Sequence, residues 1–262
     1  MNISIIKAII LGIIQGLTEF LPVSSSGHLV LVQNIFGLEG DMLLFDTMLH
    51  VGTLLSILVV FWKDIAYMFK HPFSKLPIYI ITATIPTVII ALLLKDKVEA
   101  AFASASTLGF GFIATGLLLL FVELTQSGHK TLKNMQIKDA LLIGTMQGIA
   151  IFPAISRSGS TISGALLGKL DRKFAAKFSF LMSIPAILGS VVLQAKDLNE
   201  AVTAASVTPA IAGMIAAFIS GLIAIKAMIE IITNKSLKGF SYYLFTLGGL
   251  VLLDQFVFHI FL

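Results

Sequence analysis

The sequence predicts an all-α integral membrane protein built as an inverted-topology repeat. Each half is one re-entrant helix–loop–helix followed by three transmembrane helices. Three observations carry this expectation. Of 262 residues, 57% are hydrophobic and only 12% charged, about half the roughly 25% charged of a soluble domain. The apolar residues fall into runs of spanning length separated by charged punctuation. Two further apolar segments are interrupted by serine-rich breaks that are copies of one another. A mean hydropathy of +0.98 excludes a soluble globular domain and a disordered chain alike. The lack of cysteine excludes a disulfide framework, a thiolate metal site and a cysteine nucleophile.

Full-length apolar runs lie near 42–62, 77–94, 107–123, 178–194, 208–229 and 241–261. A span needs about 20 apolar residues, so each is read as one crossing, six in total. Met1-Asn2-Ile3 lacks the basic region and small-residue cleavage site of a signal peptide, so the first apolar run is expected to stay. The interrupted segments are 3–36, broken at Leu21-Pro22-Val23-Ser24-Ser25-Ser26-Gly27-His28, and 137–168, broken between Phe152 and Thr161. A shift of 132 residues sets Gly12 on Gly144, Gln15 on Gln147, Gly16 on Gly148 and Phe20 on Phe152. It also sets Ser24 on Ser156, Ser26 on Ser158, Gly27 on Gly159 and, at the far end of the half, Gly116 on Gly248. One shift serving both ends of a half points to duplication. The expectation is a single membrane domain over 1–262, with repeat 1 about 1–125 and repeat 2 about 133–262.

After each break only about ten apolar residues remain, or about 15 Å of helix, too short for a hydrocarbon core of about 30 Å. Each broken segment is therefore read as returning to the side it entered from. Three crossings per half is an odd number, so the second half inserts upside down. The loop charges agree. One side collects Lys63, Lys70, Lys75, Lys130, Lys133, Lys138, Lys169, Arg172, Lys173, Lys177, Lys226, Lys235 and Lys238, and the other only Lys7, Lys95, Lys97 and Lys196. The positive-inside rule puts the first side in the cytoplasm and both termini and the cleft outside.

The two breaks hold the chemistry. Gln15 and Glu19 are four apart and share a helix face. A carboxylate near the midplane costs about 2.5–3.5 kcal/mol on insertion scales, so a cation, a water-filled cavity or both must offset it. Pro22 stops the first helix, and Ser24, Ser25, Ser26 and Gly27 suit the start of the next. The second break supplies Ser156, Arg157, Ser158, Ser160 and Thr161 at the equivalent helix start. Arginine forks onto phosphate oxygens, and a helix N-terminus presents unpaired N–H groups to anions. Hydroxyls, N–H groups and Arg157 call for an oxyanion, and Glu19 beside it calls for a bridging divalent cation such as Mg²⁺. His28 and the serines add a proton carrier and a nucleophile. With lipid-facing walls, the substrate class is a lipid headed by phosphate or pyrophosphate.

The stretches Gln15–His28 and Pro153-Ala-Ile-Ser156-Arg157-Ser158-Gly-Ser-Thr161 resemble the two signature motifs of the undecaprenyl-pyrophosphate phosphatases, the bacitracin-resistance proteins of bacterial cell-wall synthesis. The likeness runs over essentially the whole chain. It implies release of phosphate from a C55 polyprenyl pyrophosphate with Mg²⁺ or Ca²⁺, at the outer face of the bacterial inner membrane, and resistance to bacitracin. It further implies Glu19 as metal-associated or base residue, with Gln15 at a position that is Glu or Gln in the family. Ser25 resembles the nucleophile, His28 the base or acid, and Arg157 the phosphate clamp. Ser24, Ser26, Gly27, Ser156, Ser158 and Thr161 fall in its phosphate-binding positions. Gln15 leaves one carboxylate for metal, and Ala154 stands where the family has glycine.

Plainer readings stand beside these. The serines double as helix caps, His28 as a buried satisfied histidine, and Glu19 with Arg157 as a structural ion pair. Asp46, His50 and Thr53 share a helical face in the first full span, where interfacial solvation accounts for Asp46. The basic stretch Lys169–Lys173 needs no nucleic-acid partner. A homodimer is compatible with the sequence. The rival function is a secondary transporter or polyprenyl-phosphate flippase on the same repeat.

Overall fold

The computed structural model describes residues 3–38, 40, 42–103, 107–126, 128–195 and 204–260. Lys196, assigned above to the sparsely charged side, lies outside the described residues. The described chain is helical, with one isolated bridge between Lys130 and Leu170. In order the helices are α1 (Ile5–Phe20), α2 (Ser25–Ile35), α3 (Leu43–Val60), α4 (Trp62–Lys70), α5 (Lys75–Ala103) and α6 (Leu108–Glu123). They continue as α7 (Ile137–Ile149), α8 (Arg157–Leu167), α9 (Arg172–Ala195), α10 (Ala204–Asn234) and α11 (Lys238–Leu253), which ends in a π-turn over Asp254–Phe258.

Five helices are long and apolar enough to cross a membrane: α3, α5, α9, α10, and α11 with its π-turn. The sixth expected span, 107–123, is the 16-residue helix α6, about 24 Å long at 1.5 Å per residue. The protein is thus a multi-pass membrane protein.

Local chemistry sets the helix ends. Ser4 caps α1 by accepting from the Lys7 amide, and the chain turns extended at Leu21, before Pro22. Ser24 caps α2 and Ser156 caps α8, each accepting from the glycine amide three residues on. Gln136 and Asp139 form a reciprocal capping box on α7. Inside the apolar helices, hydroxyls such as Thr18, Thr47 and Thr87 return to the carbonyl four residues earlier. That keeps them satisfied where no water is at hand.

Packing is close where small residues face one another. A methyl added at Gly12 of α1 would sit 2.2 Å from the Gly213 carbonyl oxygen of α10. One added at Gly144 of α7 would sit 1.9 Å from the Ala83 carbonyl oxygen of α5. The main core joins Phe20, Phe61, Phe112, Phe178 and Phe180 among aliphatic side chains, with Phe20 edge-on to Phe180 at 5.5 Å.

The basic loops meet at one end. Lys75 donates to the Lys133 carbonyl at 2.9 Å, Lys177 pairs with Asp64 at 2.7 Å, and Arg172 with Glu123 at 3.2 Å. Lys130 pairs with Asp139 at 2.9 Å, and its amide donates to the Lys169 carbonyl. The start of α7 and the end of α8 therefore lie together at this end. At the start of the chain, Lys7 donates to the Phe36 carbonyl at 2.8 Å, which holds the beginning of α1 against the end of α2.

Candidate functional site

The same capping hydrogen bonds recur in the two breaks, although the cap Ser24 sits at φ +69° and its counterpart Ser156 at −71°. Ser24 and Ser26 hydroxyls lie 3.3 Å apart, and their counterparts Ser156 and Ser158 lie 3.2 Å apart. In each pair the cap takes up the glycine amide, and the two N–H groups ahead of it, which have no partner within the helix, point beyond its start. The second break needs a left-handed residue, and Ala154 takes it at φ +58°. This is a conformation that glycine adopts without strain. The Ala154 methyl is seated against Gly27 and Gly111, where a further Cβ would come within 3.0 and 2.8 Å of it. Those two glycines make room for Ala154.

The breaks are bonded to each other. Ser158 donates to the Leu21 carbonyl at 2.9 Å, and Arg157 Nη2 donates to Glu19 Oε1 at 2.6 Å. The other oxygen of Glu19 accepts from Ser25 Oγ at 2.5 Å and from Gln15 Nε2 at 3.0 Å. Both ionic side chains are largely withdrawn from solvent, 6% exposed for Glu19 and 17% for Arg157. Arg157 Nη1 and Gln15 Oε1 are buried with no partner. An orphaned buried polar atom costs about 1–3 kcal/mol; Arg157 lines a cavity, and Gln15 lies behind Glu19, to whose carboxylate it donates.

Glu19, Ser25 and Arg157 open on a cavity of about 490 Å³, which Ser24, Ser26, Ser156 and Ser158 also line. Gln15, Gly27, His28 and Thr161 do not line it. Thr161 is fully buried and shares a hydrogen bond with Ser179 at 2.6 Å. His28 turns away. Its Nδ1 meets the Ser24 carbonyl at 2.7 Å and its Nε2 meets Tyr243 Oη at 2.6 Å, with the two rings stacked at 5.8 Å. Since a carbonyl only accepts, Nδ1 carries the proton and the tyrosine hydroxyl donates to Nε2.

Sequence reasoning missed much of the cavity's far wall. Asp46, read from the sequence as interfacial, and His50 line it with Gln33 and Gln194. Gln33 donates to Asp46 at 2.8 Å, His50 Nδ1 to the Asp46 carbonyl at 2.7 Å, and Thr47 to Gln194 at 2.6 Å. The spacing of Asp46, His50 and Thr53 along one face was the available signal, since a polar face inside a span must meet something polar.

Among the described residues no three His, Cys, Asp or Glu side chains converge as a ready-made metal site. The oxygen donors near Glu19 include the unpartnered Gln15 Oε1. This set fits a hard cation that takes its remaining ligands from phosphate and water.

Known proteins of similar sequence share nearly the whole chain. The chain is 51% identical to the undecaprenyl-diphosphatase of Carboxydothermus hydrogenoformans over 252 residues, 95% of this chain and 97% of that protein. It is 47% identical to undecaprenyl-diphosphatase 3 of Bacillus cereus over 252 residues, 96% and 97% of the two chains. It is 42% identical to the undecaprenyl-diphosphatase of Methanosphaera stadtmanae over 268 residues, 94% and 96%. The family model described as Bacitracin resistance protein BacA matches residues 8–250. With two serine-capped helix starts joined through Glu19 and Arg157, the chain belongs to the bacitracin resistance protein BacA family.

Proposed function

We propose that the protein hydrolyses undecaprenyl pyrophosphate to undecaprenyl phosphate and inorganic phosphate, recycling the lipid carrier of cell-wall synthesis and conferring bacitracin resistance. The names of its relatives support the reaction. The observation that carries it is the chain Arg157–Glu19–Ser25, in which a cavity-lining hydroxyl donates at 2.5 Å to a carboxylate held by an arginine.

That chain supports a division of roles. Ser25 Oγ attacks the terminal phosphorus, and Glu19 takes its proton. The bond from phosphorus to the bridging oxygen breaks, and polyprenyl phosphate leaves. Water then releases phosphate from Ser25. Arg157 keeps Glu19 with one nitrogen and offers Nη1 to phosphoryl oxygens. The N–H groups and hydroxyls at the starts of α2 and α8 face the charge that a loose phosphoryl transition state spreads over those oxygens. Ser24, Ser26, Ser156 and Ser158 line this space. His28 acts as a positioning residue, holding the Ser24 carbonyl. Mg²⁺ or Ca²⁺ fits beside Glu19 and Gln15, where it would neutralise phosphoryl charge.

The finer architecture belongs to the same proposal: two inverted halves, each a re-entrant pair plus three spans. The break-to-break bonds support it, as do the contacts of Lys7 with Phe36 and of Lys130 with Lys169. So does the packing, in which α1 lies along α10 and its repeat counterpart α7 lies along α5. The basic end faces the cytoplasm and the termini and cavity face outside.

The test uses purified protein in detergent, where no compartments exist. Phosphate release that is lost on chelation and restored by Mg²⁺ or Ca²⁺ is expected. A protein that only translocated the lipid would release none, and that result overturns the reading.

A further inference from the structure

The helices α5 and α9 wall the reaction cavity on one face and an apolar groove on the next. Thr87 of α5 and Ile187 of α9 line the cavity. Adjacent positions on the same helices line the groove: Ile81, Ile85 and Val88 from α5, with Ile184, Pro185 and Leu188 from α9. The two spaces thus share a wall one residue thick on each helix. The groove has a volume of about 690 Å³, within the range of small-molecule sites. From Ile80 to Ile89 it follows α5 for about 14 Å at 1.5 Å per residue.

Its chemistry is uniform. Its single hydroxyl, on Thr84, is already spent on the Ile80 carbonyl at 2.8 Å. Ile81, Ile85, Val88 and Leu188 are exposed on the bundle's surface, so the groove opens toward the bilayer. Each wall carries a proline at this level, Pro86 in α5 and Pro185 in α9. Neither can donate to the carbonyl four residues back, which favours bending of both helices where the two spaces abut.

We infer that the groove between α5 and α9 seats the head-proximal part of the substrate's polyprenyl chain. This rests on the phosphohydrolase reading, because it places the diphosphate in the adjoining cavity. A diphosphate held by Arg157 and the two helix starts must lead its chain out somewhere. A path through the polar far wall of Gln33, Asp46 and Gln194 would set isoprene units against hydrogen-bonding groups. The groove between α5 and α9 lies directly behind the cavity wall, offers hydrocarbon apart from the satisfied Thr84 hydroxyl, and opens toward the bilayer, so a chain passing between the two helices would enter it.

The experiment compares undecaprenyl diphosphate with a water-soluble five-carbon prenyl diphosphate on the full-length protein in detergent. Leu188→Trp and Ile85→Trp fill the groove at lipid-exposed positions. KM for the long substrate is expected to rise about tenfold or more, in the range that pocket-filling changes produce, while the short diphosphate is turned over as in wild type. Wild-type KM for the long substrate in both variants overturns the groove. A second measurement needs no turnover: an undecaprenyl diphosphate bearing a diazirine on its first isoprene units, photolysed on the wild-type protein. Adducts confined to 81–88 and 184–188 support the groove, including where a variant has lost both activities. Adducts spread equally onto Ile219 and Ile223 of α10 overturn it. Wild-type protein that hydrolyses neither substrate defeats the phosphohydrolase reading instead, and the adduct map still decides the groove.

Discussion

Glu19 accepts from Arg157, Ser25 and Gln15, so variants at this cluster separate chemistry from folding only when chosen with care. Arg157→Ala would strand Glu19, and breaking a buried pair costs about 3–5 kcal/mol. Arg157→Lys keeps the charge and loses the fork. It should fold, yet lower kcat by about 10²–10³, the usual loss for one transition-state donor, as measured by phosphate release beside a thermal melt. Ser25→Ala leaves Glu19 two partners and should lose about 1.5–3 kcal/mol of stability, the worth of one hydrogen bond to a charged group. Its turnover should nonetheless fall to background. Retained turnover would make water the nucleophile. Tyr243→Phe tests His28 as a brace. It removes one hydrogen bond, so stability should drop by about 0.5–1.5 kcal/mol with kcat/KM nearly unchanged. Glu19, Arg157 and the serines were readable from the sequence because charge and hydroxyls inside apolar helices need a reason. The orientation of His28 was not, because its partner lies 215 residues away in the chain and only folding brings the two together.

At the scale of helices, the site depends on how closely its two arms are packed. Glu19 sits near the end of α1 and Arg157 begins α8, and their placement follows from α1 against α10 and α7 against α5. Gly12→Ala and Gly144→Ala would each press a methyl onto a facing carbonyl oxygen. Overpacking of this kind costs about 1–3 kcal/mol, and the arm must shift, so activity should fall although neither residue touches the cavity. Gly189→Ala in α9 meets nothing within 4 Å and should stabilise by up to about 1 kcal/mol through helix propensity. Thermal melts and phosphate release on the three variants check this contrast. The breaks themselves were readable, since Pro22 and the capping serines announce them. The expected run 42–62 is the span α3, which ends at Val60, just ahead of the charged pair Lys63-Asp64 that marks its end in the sequence. The far wall of the cavity was hidden. Asp46 at a span's outer end has a sufficient explanation in interfacial water until α2 and α9 are seen to enclose it.

For the whole molecule, the question is which membrane face each helix end meets, and the natural lack of cysteine makes it answerable by single-cysteine labelling in intact cells. The ion pairs that join the basic loops are partly buried, with side chains from 4% to 36% exposed. Their importance is that they bring lysines from distant parts of the chain to one end, where the positive-inside bias acts on them together. With that end in the cytoplasm, a membrane-impermeant maleimide should label Ser4→Cys, Asn34→Cys and Lys97→Cys. It should leave Lys133→Cys, Lys138→Cys, Lys169→Cys and Lys173→Cys unlabelled until the membrane is permeabilised. The decisive pairs are Ser4 with Asn34 and Lys138 with Lys169, which bracket the two broken segments. Labelling of one member of a pair without the other would mean that the segment threads the bilayer. The second half would then no longer be inverted, and both charge sorting and the route of a diphosphate into the cavity would need another explanation. Agreement within each pair, with the two pairs on opposite sides, is the outcome expected of two arms that enter from opposite faces and bond through Glu19 and Arg157.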